Sequence, residues 1–381
     1  MNSVYKIFAA AALVLMVGCG QSAPKMTKSG LDPASFETEY NGQAVSLYTL
    51  TNANGMEVCI TNFGGRVVSI MVPDRSGEFK DVVLGFDNVQ SYFPENGDSN
   101  YGAALGRYAN RIKDGKFSID GVEYELPHND RLNCLHGGPL GWHNKVYDVV
   151  EADGKHLKLK MESPDGDMQF PGNVTAFVTY TLTDDNAIDI SYDATTDAPT
   201  VINMSNHSYF NLGADPENHS VCDEILYINA SGYTPIDRAS IPFGTIDPVE
   251  GTPFDFREPK LIGADIAAEN EQLRNGSGID HNYVLDTKGD ESVVACCLTN
   301  PENGITLKVY TDEPGLQVYT GNFLNGRTVG KGGLAFNRRG AICLETQHYP
   351  DSPNEPEWPT TILRPGEKYH SHCIFAFSVT E

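Results

Sequence analysis

The sequence predicts an all-β fold, a large antiparallel β-sandwich with few short helices. Apolar and polar residues alternate with period two along several segments, and helical patterning is scarce. The chain is also rich in glycine (37), tyrosine (18) and phenylalanine (17), residues that suit tight turns and strands. Leu157, Leu159 and Met161 alternate with Lys158 and Lys160. Ile188, Ile190 and Tyr192 alternate with Asp189, Ser191 and Asp193. Ile305, Leu307 and Val309 alternate with Thr306, Lys308 and Tyr310. Each is the pattern of a strand with one face on a core and the other toward water. In KFSIDGVEYEL an Asp-Gly pair at 120–121 separates two short alternating runs, which marks a hairpin. The best helical segment runs from Gly263 to Leu273, about three turns at most.

Length and composition bound the rest. With 381 residues, 40% apolar and 20% charged, the chain can bury a sizeable core as one large β domain or two smaller ones. Disorder, a collagen-like chain and a multi-pass membrane protein are excluded. Lys plus Arg number 27 against 51 Asp plus Glu, a formal net charge of -24. Such a chain repels phosphate backbones and anionic bilayers, so neither is expected as a broad partner.

The N-terminus carries Lys6 and then an apolar run from Ile7 to Val17, too short to span a bilayer but suited to a signal peptide. The run ends at Met16-Val17-Gly18-Cys19, which resembles a bacterial lipobox. That resemblance implies cleavage before Cys19 and lipidation of Cys19; an ordinary secretory leader is the alternative. The expected organisation is a lipoprotein signal peptide over 1–18, a flexible polar tether over 19–34 and a single domain over 35–381. The expected location is a bacterial cell envelope membrane, on its periplasmic or surface side. Seven further cysteines show neither a C-x-x-C pair nor a regular spacing. They are expected as buried small hydrophobes rather than a zinc site or a disulfide framework.

Six polar clusters sit where strands should end. In Gly106-Arg-Tyr-Ala-Asn-Arg-Ile112, Arg107 and Arg111 are either surface cations or donors to sugar hydroxyls and carboxylates. In Asn133-Cys-Leu-His-Gly-Gly138 a histidine precedes two glycines, where backbone can approach a ligand closely or simply turn in water. Asn203 to Leu212 reads NMSNHSYFNL, in which seven of ten side chains can hydrogen-bond. Such a run needs partners, either a polyhydroxylated ligand or a satisfied core network. The fourth and fifth clusters are Gly278-Ile-Asp-His-Asn-Tyr283 and GLQVYTGNFL over 315–324. In the sixth, AICLETQHYP over 341–350, alternation puts Cys343, Glu345 and Gln347 on one strand face. A carboxylate beside a cysteine is expected to be partly desolvated, with its pKa raised toward the range of a general base. A structural ion pair is the alternative.

Taken together, and with VPDRSGEFKDVVLGFDNVQSY, TPIDRASIPFG and GTPFDF in the same order, these clusters resemble the aldose 1-epimerases, or galactose mutarotases. The resemblance covers essentially the whole chain after the tether and implies the galactose mutarotase-like supersandwich. It implies interconversion of the α and β anomers of free aldohexoses such as galactose and glucose, by acid–base ring opening and closure. It casts Glu345 as the base at the C1 hydroxyl and His207 as the acid at the ring oxygen. His136 would orient or polarise the ring oxygen. Asn110 and Arg111 would donate to sugar hydroxyls, Asp280 would accept them, and Gln317 would line the pocket near the base. No cofactor and no metal is expected. The partner is the free monosaccharide, besides the lipid anchor at Cys19.

Two features stand apart from the resemblance. GWHNKVYD over 141–148 differs from the loop expected after LHGG and is expected to bear on substrate preference. His370 and His372 share a face of a strand, which suggests a metal site or, more simply, a structural strand. Competing readings are a glycoside hydrolase with Asp280 and Glu345 as its carboxylate pair, a non-catalytic sugar-binding module, and a phosphosugar epimerase. The last would need a cluster of cations for the phosphate.

Overall fold

The computed structural model describes residues 26–97 and 100–380. The expected leader over 1–18, the acylation residue Cys19 and residues 20–25 lie outside the described residues. Three antiparallel sheets build the body. The largest has nine strands, in the order 148–152, 156–163, 174–182, 187–196, 369–379, 305–311, 296–299, 225–228 and 260–261. A six-stranded sheet runs 209–210, 342–347, 315–319, 280–285, 230–233 and 247–248. A four-stranded sheet joins 47–51, 57–61, 66–73 and 79–81.

The period-two segments are strands as expected, at His156–Ser163, Ala187–Thr196 and Ile305–Thr311. Register makes their apolar residues one face. Leu157 lies opposite Tyr180, Tyr180 opposite Ile190, and Ile190 opposite Cys373. That face packs on Leu316, Val318, Ile342 and Leu344 of the six-stranded sheet and on Val58, Ile60 and Ile70 of the four-stranded one, in one continuous core. The Asp120-Gly121 turn closes the hairpin Lys116–Ile119 and Val122–Glu125, with Ile119 opposite Val122.

Two expectations change. The helix over Gly263–Leu273 does not form. Its start is a single 3-10 turn, Ile262–Ala264, and the α-helix is only Glu271–Asn275. The Asn270 side chain accepts from the N–H groups of Gln272 and Leu273, so the helix begins there and not before. Ile262, Ile266 and Leu273 still reach the core, but from irregular chain. Nor is the described part of the expected tether a loose spacer. Leu31 is 1% exposed and packs with Phe36, Val68 and Leu84, while the Lys28 N–H donates to the Glu57 carboxylate. The packed unit therefore begins before residue 35.

The cysteines behave as read. All seven within the described residues are free thiols, five of them buried. His370 and His372 lie on one face of the strand Tyr369–Val379, and carboxylates partner both rings. His370 meets Asp193 at 3.0 Å, and His372 meets Asp189 at 2.9 Å and Glu291 at 3.1 Å. The Asp189 hydrogen bond leads in raising His372 to about 9.

Arg107 is buried and structural. Its guanidinium donates to the carbonyls of Pro171, Gly172 and Ser163 and to the hydroxyls of Ser163 and Thr200, pinning the loop that joins two strands of the large sheet. Arg107→Met leaves these acceptors unpaired, and we expect a loss of about 3 kcal/mol of stability, read as a lower urea midpoint. An unchanged midpoint would show that the clamp contributes nothing.

Candidate active site

The six-stranded sheet carries the site on the face turned away from the core. Register aligns Asn282, Gln317 and Glu345 in one row, and Asp280, Tyr319 and Cys343 in the next. The intervening residues, such as Val318 and Leu344, face the core. Alternation in three adjacent strands thus converts a mixed sequence into an apolar face and a polar one.

Glu345 is 2% exposed. Burial drives its carboxyl well above the usual carboxylate range; Asp280 pushes the same way and Arg111 opposes. Asp280 accepts from Gln317 Nε2 at 2.7 Å and is raised by burial, against the pull of Arg111. Arg111 is held by Asp130 through Nε at 2.7 Å. One guanidinium therefore acts on three carboxylates.

His207 arrives from the short strand Ser205–His207. Its Nε2 lies 3.6 Å from Glu345 Oε1, and its Nδ1 lies 3.5 Å from the Cys343 thiol. Burial lowers His207 to about 4 and holds the thiol protonated. Tyr209 stacks on the ring, with centroids 4.9 Å apart. His136 meets the same ring edge-on at 5.1 Å. Its Nδ1 accepts the Asn110 N–H at 3.1 Å, and its own N–H donates to the Asn110 carbonyl. A neutral His136 must therefore carry its proton on Nε2. Burial, and then His207, lower His136 well below the usual histidine value. Donor atoms of His136, His207 and Glu345 lie within 4.8 Å of one another, a set that could also ligate a cation.

The structure thus brings Asn110, Arg111, His136, His207, Asp280, Gln317 and Glu345 into one region. It leaves Arg107 outside. The NMSNHSYFNL run divides. Asn203, Ser205, Asn206, Ser208 and Asn211 bond to protein groups, so most of it is a satisfied network that presents His207. The first LHGG glycine serves chain-on-chain contact. A Cβ on Gly137, at φ +81°, would stand 2.2 Å from the Gly106 carbonyl. Beneath this loop lies GWHN, with Trp142, His143 and Asn144 all buried. His143 hydrogen-bonds to the His136 backbone, so this segment supports His136 from below.

Sequence reasoning passed over Asn282 and gave Gln347 no role. Both amides are buried without a hydrogen-bond partner among the described residues, as are Gln317 Oε1 and Glu345 Oε2. Period-two counting from Asp280 and Glu345 was the available signal. Buried, unpaired donors and acceptors beside the His207–Glu345 approach suit a ligand bearing several hydroxyls.

The sandwich is of the galactose mutarotase-like class. The model of the family "Aldose 1-epimerase" matches residues 46–376. Aldose 1-epimerase of Escherichia coli (strain K12) is 40% identical over 339 residues, 88% of this chain and 96% of that protein. Human galactose mutarotase is 39% identical over 325 residues, 85% of this chain and 92% of that protein. Among solved structures, an aldose epimerase homologue from C. elegans superposes with a TM-score of 0.82 at 29% identity, over 89% of this chain and 100% of that one. A galactose 1-epimerase from Lactobacillus acidophilus gives 0.78 at 28%, over 91% and 98%. This chain belongs to the aldose 1-epimerase family and is a sugar isomerase.

The electrostatics can be read directly. Carbon-detected NMR titration should place the Glu345 carboxyl above the reference value of about 4.3 for glutamate. A value at or below that reference would mean that Arg111 outweighs burial.

Proposed function

We propose that the chain equilibrates the α and β anomers of free aldohexoses such as galactose and glucose, with Glu345 as base and His207 as acid. The observation that carries this is the buried His207–Glu345 approach of 3.6 Å on the polar face of the sheet. Glu345 takes the proton of the C1 hydroxyl while His207 gives one to the ring oxygen. The bond from C1 to the ring oxygen breaks and leaves an aldehyde. Rotation about C1–C2 presents the other face, and the same transfers run backwards to close the ring. His136, with its proton on Nε2, orients the ring oxygen. Asn110 and Arg111 donate to hydroxyls, Asp280 accepts from them, and Gln317 holds Asp280 in place. Every proton in this scheme passes through protein side chains, and it calls for no cofactor.

Proton counting explains why burial helps. Ring opening moves one proton onto Glu345 and one off His207, so the pair holds the same number before and after. Low dielectric disfavours a charge on either group, so the pair keeps one proton across a wide pH range; that proton rests on Glu345 and must pass to His207 across the 3.6 Å approach before the two can act as base and acid. Uptake of a second proton is pushed below the histidine range. Loss of the last is pushed above the carboxylate range. We therefore expect kcat/KM to be flat through neutral pH and to fall at both ends, by polarimetry on freshly dissolved α-galactose. Glu345→Gln and His207→Asn should each cost about 10²- to 10⁴-fold in kcat. Near-normal rates in both variants would sink the acid–base assignment.

We also propose that the mature chain begins at a lipidated Cys19, on the exported side of a bacterial envelope membrane. The support is the short apolar run and Met16-Val17-Gly18-Cys19. Radiolabelled palmitate should enter the protein in cells and be lost in Cys19→Ser. Incorporation that survives the substitution, or none in either, would refute the anchor.

A further inference from the structure

Beside the site lies a cleft of about 400 Å³ whose lining includes Arg131, Arg238, Arg274, Glu271, Ser277 and Phe323. Three connections join it to the sugar-binding residues. Arg131 follows Asp130, whose carboxylate holds Arg111. The helix Glu271–Asn275 and the loop after it lead straight into Asp280. Phe323 stacks on Tyr319 at 6.0 Å, and its N–H donates to the Tyr319 hydroxyl; Tyr319 is the register partner of Asp280.

The charge of this cleft runs against that of the chain. The sequence holds 12 arginines and a net charge of -24, yet three arginines converge here. A fourth, Arg338, donates to the Ser277 carbonyl. Arg131 donates to the carbonyl of Arg238 at 2.6 Å, which ties the two loops together. Among the described residues, neither Arg131 nor Arg238 has a carboxylate within ion-pair distance. Arg274 has only the exposed Glu269, at 3.6 Å. Glu271 is the one acid in the lining. Gathered guanidinium groups with so little counter-charge suit carboxylate or sulfate oxygens. Phe323, 59% exposed, offers an aromatic face to the apolar side of a sugar ring.

We propose that this cleft is a second sugar subsite. It receives an acidic residue attached to the reducing sugar, so the preferred substrate is the reducing end of an acidic oligosaccharide. The inference rests on the mutarotase reading. That reading fixes which sugar must have a free C1, while the cleft selects what that sugar carries.

Anomer exchange by NMR would test it with galactose, a neutral digalactoside and a disaccharide of galacturonic acid linked to a reducing galactose. Wild type should show a kcat/KM for the acidic disaccharide at least about tenfold above the neutral digalactoside, the worth of one charge-assisted hydrogen bond. Added salt should shrink that ratio. The triple variant Arg131→Gln, Arg238→Gln, Arg274→Gln should abolish it and leave galactose turnover unchanged. Phe323→Ala should slow both disaccharides and spare galactose. Equal rates for the two disaccharides in wild type would overturn the subsite, as would a preference that survives the triple variant. If the triple variant misfolds, the salt dependence in wild type and Phe323→Ala decide. Failure of wild type to turn over galactose at all would overturn the mutarotase reading instead.

Discussion

A carboxylate buried on a sheet that is covered on both sides is the constraint around which this molecule is arranged. The strand Ile342–Gln347 has no solvent-facing residue. Its apolar half belongs to the core, so Glu345 cannot move toward water without dismantling the sandwich. Ionising it there costs free energy, and the Arg111 guanidinium, held by Asp130, offsets part of that cost. The same guanidinium acts on Asp280. The protonation of Glu345 and of Asp280 is therefore set together and cannot be tuned independently.

Histidine placement follows a different logic. His207 and His136 come from loops and short strands, yet each is fixed by backbone. His136 is locked to Asn110 by a reciprocal pair of bonds across two residues in left-handed conformation. His207 stands on a network of serine and asparagine side chains that bond to carbonyls elsewhere. Packing density around LHGG is so high that Gly106 and Gly137 have no room for a side chain. Rigid support of this kind holds His136 and His207 beside the Glu345 carboxyl without solvent to screen them.

Much of this was legible in the sequence, for identifiable reasons. Strands with one apolar face announce themselves by period two, and the Asp-Gly turn fixed a hairpin. Glu345 stood out because alternation paired it with Cys343. The Gly263–Leu273 segment misled because burial of Ile262, Ile266 and Leu273 imitates a helical stripe, while the Asn270 cap acts only over the next few residues. Arg107 and Arg111 are four residues apart and chemically identical. Only the path of the chain decides that one clamps carbonyls and the other meets carboxylates. Asn282 was hidden because an asparagine in a strand has no distinctive signal until its neighbours across the sheet are known. The convergence of Arg131, Arg238 and Arg274 from three separate segments was equally out of reach.

The seating of Leu31 in the second apolar cluster has a consequence for distance. On the proposal that Cys19 carries an acyl chain, seven residues, 20–26, separate it in sequence from the folded body. At about 3.4 Å per residue their full reach is roughly 24 Å, less than the ~30 Å thickness of a bilayer's hydrocarbon core. On that proposal the catalytic body would stay within that reach of the membrane surface. It would meet sugars as they cross or leave that surface, ahead of those diffusing in from the bulk.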